Sequence, residues 1–143
     1  MGDVKQMNNK DITADTEVVK DLMGKKTYLL SKAQALSEVG IIETAQPLFL
    51  SAAAYEERIA ALLDTEGREL EAAVHRISSA SCYAKANHLT RAVNLYRAAL
   101  SSPLRDNTRS DVFNMLNDCL EQLARQQTLH ATASSVAETV AAM

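Results

Sequence analysis

The sequence predicts an all-α protein of about five helices. Three observations predict it. Four glycines and two prolines in 143 residues leave little material for hairpin turns and loops. Apolar residues recur every three or four positions, and no stretch shows the strict alternation of a strand. Alanine is abundant, which favours helix formation and close approach of neighbouring helices.

The elements follow in order. Residues 1–14 are polar and aperiodic and are expected to form a flexible tail. Asp15 is an N-cap candidate, followed by Val18, Val19, Leu22, Met23, Leu29, Leu30, Ala33 and Leu36 at helical spacing. Gly24 interrupts that pattern and is expected to bend or split the helix, and Gly40 closes it. A second helix is predicted over 43–63, with Pro47 early enough for its missing N–H to be tolerated and Gly67 ending the turn that follows. A third covers 69–86, with Leu70, Val74, Ile77 and Ala80 inward, and a fourth covers 90–101, stopping before Pro103. Thr108 and Asp111 resemble a capping box opening a fifth helix with Val112, Phe113, Leu116, Cys119, Leu120 and Leu123. One helical domain over 15–127 is therefore expected, followed by an alanine-rich helix or tail over 128–143.

The formal net charge of -3 provides no basic excess for neutralising phosphates, so nucleic acid is not an expected partner. No apolar run approaches the roughly 20 residues that cross a bilayer, so no membrane partner is expected. The N-terminus lacks the apolar centre of a signal peptide, and Gln6 stands where a myristoylation motif has Ser or Thr. Cys82 and Cys119 do not make a disulfide framework, which points to a reducing, cytoplasmic compartment.

The chain repeats itself. Ala45, Phe49 and Ala52 match Ala92, Tyr96 and Ala99, each pair 47 residues apart. Upstream, Ala33 matches Ala80, Leu36 matches Tyr83, and Gly40 matches Asn87, both tolerant of a left-handed conformation. Small alanines let two antiparallel helices approach, and the aromatic one turn further on fills the gap where they diverge. One such hairpin cannot cover its own apolar face and must stack on a neighbour.

At these residues, "GIIETAQPLFLSAA" and "NHLTRAVNLYRAAL", the chain resembles the tetratricopeptide repeat family over roughly 26–103. The departures are a spacing of 47 rather than about 34 residues and the absence of a repeat-ending proline in the first copy. The first helix also lacks a consistent early aromatic, having Leu29 in one copy and Arg76 in the other. The resemblance implies antiparallel hairpins stacked in a short right-handed superhelix, with the fifth helix as a cap. It also implies a groove for a partner protein's peptide or helix. The groove positions it implies are Leu30, Gln34, Ser37 and Glu38 in the first copy, and Val74, Ile77, Ser81, Ala84 and Lys85 in the second. The family's carboxylate clamp has lysine and asparagine where this chain has Leu30 and Gln34, so capture of chaperone tails is not implied.

No catalytic pattern emerges, and no metal or other cofactor is expected. The sequence contains no phosphate loop, nucleophile elbow or HExxH, and Cys82 with His88 does not have zinc spacing. The acids Glu56 and Glu57 are expected on solvated faces. His75, in "AVHRISSAS", resembles the phosphotransfer histidine of four-helix signalling proteins. However, Ser78 replaces that family's basic residue, and its later glycine is missing. A non-catalytic adaptor or scaffold is the leading expectation. The alternatives are phosphotransfer at His75 and self-association as a homodimer or as a subunit of a larger assembly, because two repeats fall short of the three usually needed for stability.

Overall fold

A computed structural model gives five helices in chain order: α1 (Gly2–Glu38), α2 (Ile42–Thr65), α3 (Glu69–Lys85), α4 (Leu89–Leu100) and α5 (Asp106–Ala142). The structure describes residues 2–143, with side chains from residue 16 onward. Of the tail expected over 1–14, residues 2–14 fall within the span of α1, and their side chains lie outside the described set. No strand occurs among the described residues. Each helix packs chiefly on the next one in sequence, α1 on α2, α2 on α3, α3 on α4 and α4 on α5.

One turn geometry builds three of the four connections. At Gly40 (φ 83), Gly67 (φ 75) and Asn87 (φ 63) the chain enters the left-handed region for a single residue. The next N–H reaches back to the carbonyl five residues earlier, Ile41 to Leu36 at 2.8 Å, Arg68 to Leu63 at 3.0 Å and His88 to Tyr83 at 2.8 Å. Each left-handed residue donates to the carbonyl three before it, which completes a Schellman motif. The residue after it then serves as the N-cap of the following helix, with nearly the same φ and ψ in all three cases.

Spacing from the turn sets what is buried. Five residues on stand Ala45, Ala72 and Ala92; twelve on stand Ala52, Ser79 and Ala99; all six are essentially inaccessible. A larger side chain at any of them would push two helices apart. The sequence comparison found the Gly40 and Asn87 copies but not Gly67, because nine residues after the turn Phe49 and Tyr96 are matched there by Arg76.

The fourth connection is different. Leu104 is buried, Arg105 is extended, and the Arg109 guanidinium donates to the carbonyls of Leu100 (2.7 Å) and Ser102 (2.9 Å), closing the end of α4. The expected Thr108–Asp111 capping box does not form, since α5 already starts at Asp106 and Thr108 lies inside it. The alanine-rich 128–143 segment is the continuation of α5, which does not break before Ala142.

Two further expectations are corrected by helix geometry. α1 passes through Gly24 without a break; its missing Cβ would face open space, so only intrinsic propensity is lost there. Leu70 and Val74, expected inward, are 42% and 48% exposed, because α3 turns Ala72, Ala73, Ser79 and Ala80 to the core instead. Pro47 lies at the sixth residue of α2, on its exposed side.

Candidate functional site

The most constrained polar centre lies where α1, α2 and α3 meet. The buried register of α2 runs through Ala45, Phe49, Ala52, Ala53, Glu56, Ile59, Ala60 and Leu63. Glu56 is thus carried into the core by the same three-four spacing as its apolar neighbours, and it is 0% exposed. This overturns the expectation of a solvated acid. Its Oε1 lies 2.6 Å from Lys26 Nζ on α1 as a charge contact without an aligned hydrogen bond. Its Oε2 lies 2.6 Å from His75 Nδ1 on α3. Burial alone would raise the Glu56 carboxyl pKa, but His75 and then Lys26 outweigh it and hold the group below its ordinary value.

Glu57, the next residue, points about 100° further round α2. It accepts from the Tyr83 hydroxyl at 2.5 Å and from Arg91 at 2.7 Å. Consecutive acids therefore tie α2 to three other helices: Glu56 to α1 and α3, Glu57 to α3 and α4. Burial, followed by Glu57, raises the Tyr83 pKa, and Arg91 sits 5.6 Å from the centre of the same ring. Cys82, also buried, is pushed up to about 11, first by burial and then by the Glu56 charge; it remains a neutral thiol.

About 16 Å further along α1, at 1.5 Å rise per residue, the α1–α3 furrow opens into a cleft of about 530 Å³ lined by Gln34, Ser37, Glu38, Phe49 and Lys85. Four of these five are positions that the family resemblance implied. Phe49 forms its floor and is 3% exposed. Lys85 Nζ rests 5.3 Å from the centre of that ring, an arrangement that fixes an ammonium over an aromatic face. No acid lies within ion-pair distance of Lys85, and no base within that distance of Glu38, among the described residues. The cleft therefore presents one acid and one base, both free.

The other implied positions are distributed differently. Leu30, Ile77 and Ala84 are half-buried against the core. Val74 is exposed, and α3 carries it at the far end of the furrow from Lys85. Ser81 belongs to another contact, its Oγ lying 2.9 Å from the Tyr96 hydroxyl and 3.9 Å from Met115 Sδ of α5. His75, singled out for phosphotransfer, has its Nδ1 committed to Glu56 and its side chain 15% exposed.

Lys26 and Glu56 were not recognised from the sequence as a pair. The signal was present, because an acid at a core register position of α2 requires a buried cation, and Lys26 lies on the inward stripe of α1. No group of three or more His, Cys, Asp or Glu side chains arranged to hold a metal occurs among the described residues. No described helix is long and apolar enough to cross a membrane. No family model, curated protein or solved structure matches this chain.

Proposed function

We propose that the chain is a non-catalytic protein-interaction module, tetratricopeptide-like in its hairpins and cytoplasmic. It takes a short segment of a partner protein in the cleft between the ends of α1 and α3. One observation carries this reading: Gln34, Ser37 and Glu38 on one helix and Lys85 on another, far apart in sequence, line a single cleft over the Phe49 ring. Its size falls within the range of about 300–1,000 Å³ common for binding sites. Its polar groups are unspent, so a ligand need not displace an internal partner. Lys85 is positioned to meet a carboxylate, and Glu38, on the opposite wall, to meet a cation or a backbone N–H.

The test is selection of a displayed peptide library on the full chain, followed by direct titration of the enriched peptides. Binding should weaken about tenfold for Lys85→Ala, as expected when a charge-assisted contact over an aromatic floor is lost. It should weaken less for Gln34→Ala and hold steady for Arg97→Ala on the distant α4. Peptides that bind wild type and Lys85→Ala equally would remove the cleft from consideration.

A further inference from the structure

We infer that the exposed part of α5 is an arm that binds the α1–α2 hairpin of a second copy of this chain, so that two copies join end to end by exchanging arms. This goes beyond the cleft reading; of the residues lining that cleft it involves Glu38 alone, at the edge of the tip.

Exposed apolar side chains such as Val74 and Phe113 are scattered over the surface, but two sets of them stand together at one end of the molecule. Val39 (71%), Ile41 (47%) and Ile42 (45%) form the tip of the α1–α2 turn. Leu129 (70%), Val136 (58%) and Val140 (65%) belong to α5 beyond Leu123, its last half-buried residue. Gln126 donates to Asn87 Oδ1 at the α3–α4 turn (2.9 Å), so the rest of α5 runs past the end at which α1 and α3 stop. Every residue from 124 to 142 is exposed. That is about 28 Å of helix at 1.5 Å per residue, with no packing from its own chain to add to intrinsic propensity. Leu129, Ala133, Val136 and Val140, spaced by four, three and four, lie on one face of it.

Charge complementarity identifies the occupant as a second copy. The apolar tip is flanked by Glu38 and Glu43, neither of which has a cation within ion-pair distance among the described residues. The arm stripe is flanked at its base by Arg125, one turn before Leu129 and likewise without an ion-pair partner. A two-fold axis between facing ends reverses both helix direction and helix order. It therefore places the arm of one copy beside α1–α2 of the other, with the base of the arm at the acidic tip. Val136 lies about 16 Å further along the arm. At that height α1 and α2 part into a cleft of about 450 Å³ lined by Leu29, Ser51, Ala54, Tyr55 and Arg58. The stripe thus runs from the tip into an open seam on the side of the hairpin away from α3.

Sedimentation velocity of the full chain over a range of concentrations tests this, with circular dichroism confirming that each variant is folded. Wild type should form a concentration-dependent dimer. Val136→Asp should weaken it at least about tenfold, since it introduces a charge into an apolar contact. Arg125→Glu should weaken it about fivefold, the scale of one or two partly exposed ion pairs. Combining Arg125→Glu with Glu43→Arg should restore it. A wild-type monomer at every concentration would overturn the inference, as would a dimer indifferent to Val136→Asp or a charge swap that fails to restore association. None of these outcomes bears on peptide binding at Lys85, which is measured separately.

Discussion

The two hairpins share a frame and differ in how it is filled. Gln34 and Ser81 occupy the same place, 47 residues apart, as do Phe49 and Tyr96, and Glu38 and Lys85. In the second hairpin, α5 closes the site. The Tyr96 hydroxyl meets Ser81 and the Met115 sulfur, and burial raises the Tyr96 pKa. In the first hairpin, Phe49 has no hydroxyl, Lys85 lies over its ring, and the space above stays open. Backbone geometry and small side chains reproduce the frame; one oxygen atom on a ring and the helix that follows decide whether the frame becomes core or cleft.

The comparison extends inward. The first hairpin is fastened to α3 through a buried carboxylate and two basic side chains, the second to α5 through neutral hydroxyls and a thioether. Replacing Glu56 with Ala should therefore produce the largest loss of stability in the molecule, about 3 kcal/mol in urea unfolding at neutral pH. Lys26 would be left without its counter-charge and His75 without its hydrogen-bond partner, while only 20% and 15% exposed. The same contact gives the stability a pH dependence. The folded carboxyl has its pKa lowered from 4.5, so its contribution is complete above that value and fades as pH falls through the folded value. The stability difference between wild type and Glu56→Gln should accordingly narrow below about pH 4.5. A difference that is flat with pH would mean that Glu56 acts by packing rather than by charge, and the contrast between the hairpins would lose its electrostatic half.

A smaller effect separates closed from open. Tyr96→Phe removes the hydroxyl that Ser81 meets inside the core and should cost about 1 kcal/mol. Gln34→Ala, at the matching place in the first hairpin, removes a side chain that makes no internal hydrogen bond among the described residues and should change stability by less than about 0.5 kcal/mol. Equal losses at the two positions would show that the cleft is packed from within.

Much of this was legible in the sequence. The left-handed residues Gly40 and Asn87, the alanines after them, the number of helices, and the extents of α2, α3 and α4 all follow from spacing and turn chemistry. Gly67 was legible as the turn after the second helix, but its likeness to the other two turns was not, because its repeat consists of small side chains alone, without the aromatic that marks the other two copies. The fate of Ser81 and Gln34 could not be read locally, since it depends on whether another helix lies above them. Glu56 was misplaced for a related reason: acids at helical spacing are ordinarily solvated, and only the joint positions of Lys26 and His75 on two other helices make this one affordable. Continuity of α5 past residue 128 was equally obscure, because alanine, serine and threonine in that segment give neither a stop signal nor a strong apolar stripe.

The subtlest difference lies at the turns themselves, where Gly40 and Asn87 adopt nearly the same left-handed geometry. Glycine reaches it without steric cost, whereas asparagine crowds its Cβ against the backbone and tolerates the region better than most residues. Asn87 recovers part of that cost through its side chain, which accepts from Gln126 on α5; Gly40 has no such partner and none of α5 near it. Gly40→Asn should thus lower stability by a few tenths of a kcal/mol in thermal unfolding, the cost of a strained backbone with nothing to offset it. Asn87→Gly should come out within a few tenths of neutral, because the relief of strain is set against loss of the exposed bond to Gln126 and greater freedom of the unfolded chain. If Asn87→Gly instead cost well above about 1 kcal/mol, the Gln126 contact would be anchoring α5 at the point where its arm begins. The second hairpin would then be distinguished from the first at its turn as well as in its core.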